Sequence, residues 1–264
     1  MRLFYATLLL CSCALAGDSV AQSFISTVGS LKGAVVPVIC AGQNLDGSAF
    51  LISVEGTGFF LSDDGDFVTA GHVAQGLFAP GRIPACPIPA IYVPISGWDD
   101  TSPNMQLRVP FINRCWWDAN DDVAVCSLKE NPFTAPTITK KPVAVVLDTT
   151  FKDSGTPVAF TGFPLTFLQP ITSEGIVGVY QGAEQLIGPK VLVIDKNAWP
   201  GASGSPVYTS NGKVIGMIVQ RGFSDATGLA FARTSVFVQR FLAKNKQTRQ
   251  EEEKKQQGQQ TPKP

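Results

Sequence analysis

Short apolar runs broken by turn-forming pairs dominate the chain. Runs at 35–40, 49–54, 58–61, 67–69, 123–128, 143–146, 158–161, 176–180, 191–194 and 214–219 are rich in Val, Ile and Phe, residues that suit a pleated, half-buried surface. Between them lie Asp46-Gly47, Asp64-Gly65 and Asn211-Gly212, pairs that tolerate the positive φ of tight hairpin turns. Many short strands at this spacing predict an all-β sandwich or barrel. A helical period emerges only near the end. There Thr234 or Ser235 can cap a segment with Phe237/Phe241 and Val238/Leu242 at i,i+4, which predicts a short C-terminal helix.

Two segments interrupt the strand pattern, and one follows it. Residues 130–142 hold three prolines and few core side chains, as expected of a connection between two β halves. The Pro-rich stretch 75–110 reads as loop-heavy, an insertion near a site. Residues 244–264 form a Gln/Lys/Glu/Pro run without an aromatic side chain, the composition of a disordered tail.

Composition bounds the function. With 264 residues, 44% of them apolar and 16% charged, the chain can bury one full core or two packed halves. Basic and acidic residues balance at 21 each, so net charge points to neither a nucleic-acid nor a membrane-surface partner. The balance conceals a mildly positive tail, since residues 243–264 carry six basic and three acidic side chains.

The first residues read as a secretory signal. Arg2 precedes an apolar run from Leu3, and Ala14-Leu15-Ala16 and Ser19-Val20-Ala21 both offer small-x-small cleavage sites. The run falls short of the roughly 20 residues a membrane span needs. Removal of residues 1–21 leaves Cys40, Cys86, Cys115 and Cys126, an even number in an oxidising periplasmic or extracellular setting. Four cysteines allow three pairings. Cys115 and Cys126 flank a hairpin centred between Asn120 and Asp121, which favours that pair and leaves Cys40 for Cys86. The absence of a CxxC spacing argues against zinc.

Three segments carry chemistry. The single histidine, His72, follows a strand and two small residues in Val68-Thr69-Ala70-Gly71-His72. In Gly201-Ala202-Ser203-Gly204-Ser205-Pro206, glycines let the backbone turn tightly around an exposed hydroxyl. The Gly201 and Ser203 N–H groups can then aim at a developing oxyanion. Asp121-Asp122-Val123-Ala124-Val125 puts an acid at the head of a buried strand, where it can orient an imidazole. Each has a plainer reading: an incidental histidine, a Gly/Ser turn, a polar turn.

Together these segments resemble the trypsin-like, chymotrypsin-fold serine peptidases, especially the HtrA/Deg-like branch. Thr69-Ala70-Gly71-His72 resembles T-A-[AG]-H, and Asp122-Val123-Ala124-Val125 matches D-[IVL]-A-[VL], which selects Asp122 over Asp121. Gly201 to Pro206 matches G-x-S-G-x-P, and Gly56-Thr57-Gly58-Phe59 resembles the G-S-G-F strand of the family. Thr161-Gly162-Phe163-Pro164, Thr172 to Val177 and Gly228 to Ala232 are similar to second-barrel pieces. The resemblance spans roughly residues 25–242. It implies two antiparallel six-stranded β-barrels, about 25–130 and 143–233, within a peptidase domain of residues 22–242.

The same resemblance implies a serine endopeptidase with a His72, Asp122 and Ser203 triad and an oxyanion hole of the Gly201 and Ser203 amides. It implies a protein or peptide substrate, and neither metal nor cofactor. Asn197, Ala198, Trp199 and Ile218 are the candidate substrate-pocket residues. The chain departs from its relatives in two ways. The residues after 242 are too few for the PDZ domain usual in HtrA peptidases. Asn197 stands where trypsin has an acid, and Ile215-Gly216-Met217-Ile218 lacks the histidine of glutamyl endopeptidases, so an uncharged P1 residue is expected. The order His, Asp, Ser fits no α/β-hydrolase, since no histidine follows Ser203. The rival expectations are an inactive peptidase fold that binds peptides, and an esterase or self-processing hydrolase.

Overall fold

A computed structural model describes residues 24–78, 86–99, 101–102, 104–184, 188–221 and 228–259. The expected signal segment, 1–21, lies outside the described residues. A helix over residues 24–31 (α1) leads into β1 (Val35–Gln43). β2 (Ala49–Phe60), β3 (Phe67–Ala70), α2 (Gly71–Phe78), β4 (Ile88–Ile91), β5 (Val93–Pro94), β6 (Leu107–Arg108), β7 (Ile112–Asp118) and β8 (Val123–Leu128) complete the first half. The second half holds β9 (Pro157–Gly162), β10 (Ile171–Glu184), β11 (Gly188–Asp195), β12 (Pro206–Tyr208), β13 (Val214–Arg221) and β14 (Leu229–Thr234). The helix α3 (Ser235–Gln259) follows.

The first half is a six-stranded antiparallel sheet in the order β4-β1-β2-β3-β8-β7. It rolls until its edges meet at a single bridge, Ala90 to Phe111, with the Ile91 N–H donating to Pro110 O at 3.0 Å. Prolines explain why closure stops there. Pro87, Pro89, Pro94 and Pro110 have no N–H to give a ladder, so β4, β5 and β6 stay short. Phe59, Phe60 and Phe67 fill the sheet's interior with no exposed surface, and Phe60 meets Phe67 edge-to-face at 6.5 Å.

The second half is a closed six-stranded barrel, β10-β11-β14-β13-β12-β9. Leu192, Ile194, Val207, Ile218, Ala230 and Ala232 form its core. The protein is therefore mostly β, with the chymotrypsin-like arrangement of two six-stranded units.

Residues 143–146 are not a ladder strand. They run extended between the halves and bond to both: the Val145 N–H donates to Phe60 O at 2.9 Å and the Val214 N–H to Val146 O at 2.9 Å. The second barrel proper begins at Pro157.

The C-terminal helix continues to Gln259, past residue 242 where the sequence pattern ends it. Phe237, Val238 and Phe241 are buried as the spacing predicts. Beyond them Asn245 is also buried. Arg249 pairs with Asp66 and sits over the Trp116 ring at 4.5 Å. A run of Gln, Lys, Glu and Arg has good helix propensity, and these tertiary partners give it a surface to follow. The Ser235 hydroxyl does not cap the helix; it donates to Val214 O at 2.7 Å.

Both disulfides lie in the first half. Cys115 and Cys126 are cross-strand partners in the β7–β8 hairpin, with Cα atoms 4.0 Å apart. Cys40 on β1 joins Cys86, just before β4, across 5.5 Å between Cα atoms.

Candidate active site

His72 sits in the first turn of α2, directly after β3. The junction is tight. A Cβ on Gly71 would lie 3.1 Å from Asp118 O and from the Asp122 backbone, so a side chain there would push the helix start off the β7–β8 turn. That closeness brings His72 to Asp122. The His72 backbone N–H donates to Asp122 Oδ1 at 2.7 Å. The imidazole Nδ1 lies 2.9 Å from Oδ2 and 3.1 Å from Oδ1. A carboxylate only accepts, so Nδ1 carries a proton; in the neutral imidazole Nε2 is then the accepting nitrogen. Asp122 itself adopts φ 52°, a left-handed conformation that Asp tolerates better than most residues.

Ser203 comes from the loop between β11 and β12. The Ala202 N–H donates to Trp199 O at 3.0 Å, and the Ser205 N–H to Ala202 O at 2.9 Å. The Gly204 N–H donates to Ile218 O at 2.7 Å, and the Ile218 N–H returns to Ser205 O at 2.9 Å. Gly201 and Gly204 have φ of 92° and 91°, a region open to glycine. Each is also pressed against backbone. A Cβ on Gly201 would strike Phe163 O, and one on Gly204 would strike Thr57 O.

Thr57 on β2 ties this loop to the first half. Its N–H donates to Ser203 O at 2.7 Å. Its hydroxyl donates to Gly201 O at 2.8 Å and accepts from the Phe163 N–H at 3.0 Å. The Thr69 hydroxyl donates to Thr57 O at 2.7 Å. Among the described residues, the N–H groups of Gly201 and Ser203 have no protein acceptor.

His72, Asp122, Gly201 and Ser203 line one cavity of about 510 Å³, together with Glu55, Ala198, Trp199, Pro200, Ile218 and Val219. Three of the four residues expected in a substrate pocket, Ala198, Trp199 and Ile218, are in its wall; Asn197 is not. Trp199 is half-exposed, at 52%. Sequence reasoning passed over Glu55 and Thr57. Thr57 lay within a quoted motif, but its bonds reach Gly201, Ser203 and Phe163, partners no local pattern reveals. Among the described residues no group of His, Cys, Asp and Glu gathers as metal ligands would.

The two consecutive aspartates face different ways. Asp122 meets His72, whereas Asp121 is 7% exposed and pairs with Arg240 at 2.7 Å and Lys190 at 3.0 Å. Burial alone pushes the Asp121 carboxyl up, but hydrogen bonds and charge from Arg240 and Lys190 outweigh it and hold it below the ordinary carboxylate value.

The family model of the trypsin-like peptidase domain matches residues 56–217, more than half of the chain. The chain belongs to the trypsin-like peptidases. Among solved structures it is similar to the Rv3671c protease of M. tuberculosis in its inactive form. The serine-to-alanine mutant aligns with a TM-score of 0.58 at 19% identity, over 85% of this chain and 92% of that one. A second Rv3671c structure aligns with a TM-score of 0.57 at 20% identity, over 85% of this chain and 94% of that one. At such identity the likeness is one of fold. No curated protein sequence matches this trypsin-like peptidase significantly.

Proposed function

We propose that this protein is a serine endopeptidase that hydrolyses peptide bonds through His72, Asp122 and Ser203. The observation that carries the reading is the paired bond from His72 to Asp122, at 2.7 Å from the backbone and 2.9 Å from the ring, in one cavity with Ser203. His72 Nε2 takes the Ser203 hydroxyl proton as the oxygen attacks the substrate carbonyl. The tetrahedral oxyanion is held by the Gly201 and Ser203 amides. The imidazolium, stabilised by Asp122, gives its proton to the leaving amine, and water then clears the acyl-enzyme by the reverse sequence. No metal or cofactor is required.

The wall formed by Ala198, Trp199, Ile218 and Val219 supports preference for an uncharged P1 residue. The two disulfides and the signal-like first residues support export to the periplasm or beyond the cell. No helix among the described residues is long and apolar enough to cross a membrane. The motifs around His72, Asp122 and Ser203 support assignment to the HtrA/Deg-like branch.

Ser203→Ala should lower kcat by roughly 10⁴ or more on a peptide substrate, and should abolish labelling by an organophosphonate probe. Wild-type turnover in that variant would end the proposal. A protein that neither cleaves peptides nor labels is a peptide-binding relative. One that labels but turns over only simple esters is an esterase.

A further inference from the structure

Asp121 is the one carboxylate among the buried polar residues described here, and it lies next to the residue that orients His72. Its partners come from three elements of the second half. Arg240 of α3 reaches Oδ2 at 2.7 Å, and Lys190 of β11 reaches Oδ1 at 3.0 Å. Arg233 of β14, itself buried, donates from Nε to the Asp121 carbonyl oxygen. Lys190 also donates to Asn120 O at 2.8 Å, and Arg233 to Lys190 O at 3.3 Å. The Phe237 ring packs beneath the cluster, 4.4 Å from the Arg240 guanidinium carbon, 5.9 Å from Lys190 Nζ and 6.0 Å from the Arg233 guanidinium carbon. From the first half, Asp118 Oδ1 accepts the N–H groups of Asn120 at 2.8 Å and Asp121 at 3.0 Å.

Buried charge is costly and persists where it is fully paired. Here the pairing immobilises the chain one residue before the left-handed turn at Asp122. That turn sends the Asp121 side chain toward the second barrel and α3, and the Asp122 side chain toward His72. Rotation of the Asp121 peptide would carry Asp122 with it and lengthen both of its bonds to His72.

We propose that Asp121 is a positioning residue: by gripping Lys190, Arg233 and Arg240 it fixes the loop that carries Asp122, and thereby couples the His72–Asp122 pair to the C-terminal helix. The inference rests on the triad reading above. It makes α3 part of the peptidase machinery, although none of its residues lines the site cavity.

The test uses the full-length protein with Arg240→Met, which keeps an apolar stem over Phe237, and Arg240→Lys, which restores the charge. Arg240→Met should lower kcat roughly 10- to 100-fold, the scale of a small misplacement of a reacting group, with KM nearly unchanged. Arg240→Lys should recover most of the loss. His72 is the only histidine, so its Nδ1–H proton resonance reports the contact with Asp122 directly. That resonance should broaden in Arg240→Met as the proton becomes open to solvent exchange, and sharpen again in Arg240→Lys. An unchanged resonance, or wild-type kcat, would overturn the proposal. If Arg240→Met does not fold, Lys190→Met is read in the same way. Activity that survives Ser203→Ala would instead sink the triad reading, while the resonance would still report whether the grip on Asp121 acts on His72.

Discussion

The Thr57 N–H donates to the Ser203 carbonyl oxygen at 2.7 Å, so a strand of the first half holds the back of the loop that presents the Ser203 hydroxyl. The same residue spans Gly201 and Phe163 through its hydroxyl. Strand β2, the Ser203 loop and the segment at Phe163 thus meet at one fully buried threonine.

Thr57→Val keeps the shape and removes those hydroxyl bonds. Gly201 O and the Phe163 N–H then lose a buried partner, at a cost of about 1–3 kcal/mol. Urea unfolding should show that loss. Because Gly201 O no longer anchors its peptide, kcat should also fall by roughly tenfold or more. A variant as active and as stable as wild type would refute the role of Thr57.

Asp148 gives an acid-range prediction. The Lys152 ammonium, 2.9 Å away, is the main cause of its low pKa. Burial opposes the shift and the Thr150 N–H assists it, and the result is a value of about 2 against 3.8. A carboxyl depressed on folding contributes stability above its unfolded value and loses it as pH falls through the folded one. Asp148→Asn should therefore cost about 1 kcal/mol at pH 7. The gap from wild type should shrink as pH falls below 3.8 toward 2. Chemical unfolding across pH 2–7 reads the gap, and one that widened toward acid would contradict the assignment.

The disulfides should differ in worth. Cys40–Cys86 closes a sequence separation of 46 and Cys115–Cys126 one of 11. By loop-closure entropy the first restricts the unfolded chain by about 4 kcal/mol and the second by about 3 kcal/mol. Paired alanine replacements, compared by guanidinium unfolding, should show the larger loss at Cys40/Cys86. The reverse order would place the stabilisation in native packing instead.

The fold class was legible because strand residues and Asp-Gly or Asn-Gly turns announce themselves locally. The helix face of Phe237, Val238 and Phe241 was legible for the same reason. Residues 143–146 misled because Val-rich extended chain looks alike whether it joins a ladder or runs between two. Residues 244–259 misled because their polar composition hides Arg249, whose partners Asp66 and Trp116 are far away in sequence. At the site, the motifs around His72, Asp122 and Ser203 stood out in the chain. Thr57 and Asp121 did not, since their importance lies in hydrogen bonds to distant segments.

The close approach of Gly204 to the Thr57 carbonyl makes the two lobes depend on each other. The turn around Ser203 is bonded within its own barrel and is also seated against a strand of the other lobe. On the triad reading proposed above, acyl transfer should therefore require both lobes to be docked, since Thr57 of one holds the Ser203 carbonyl of the other.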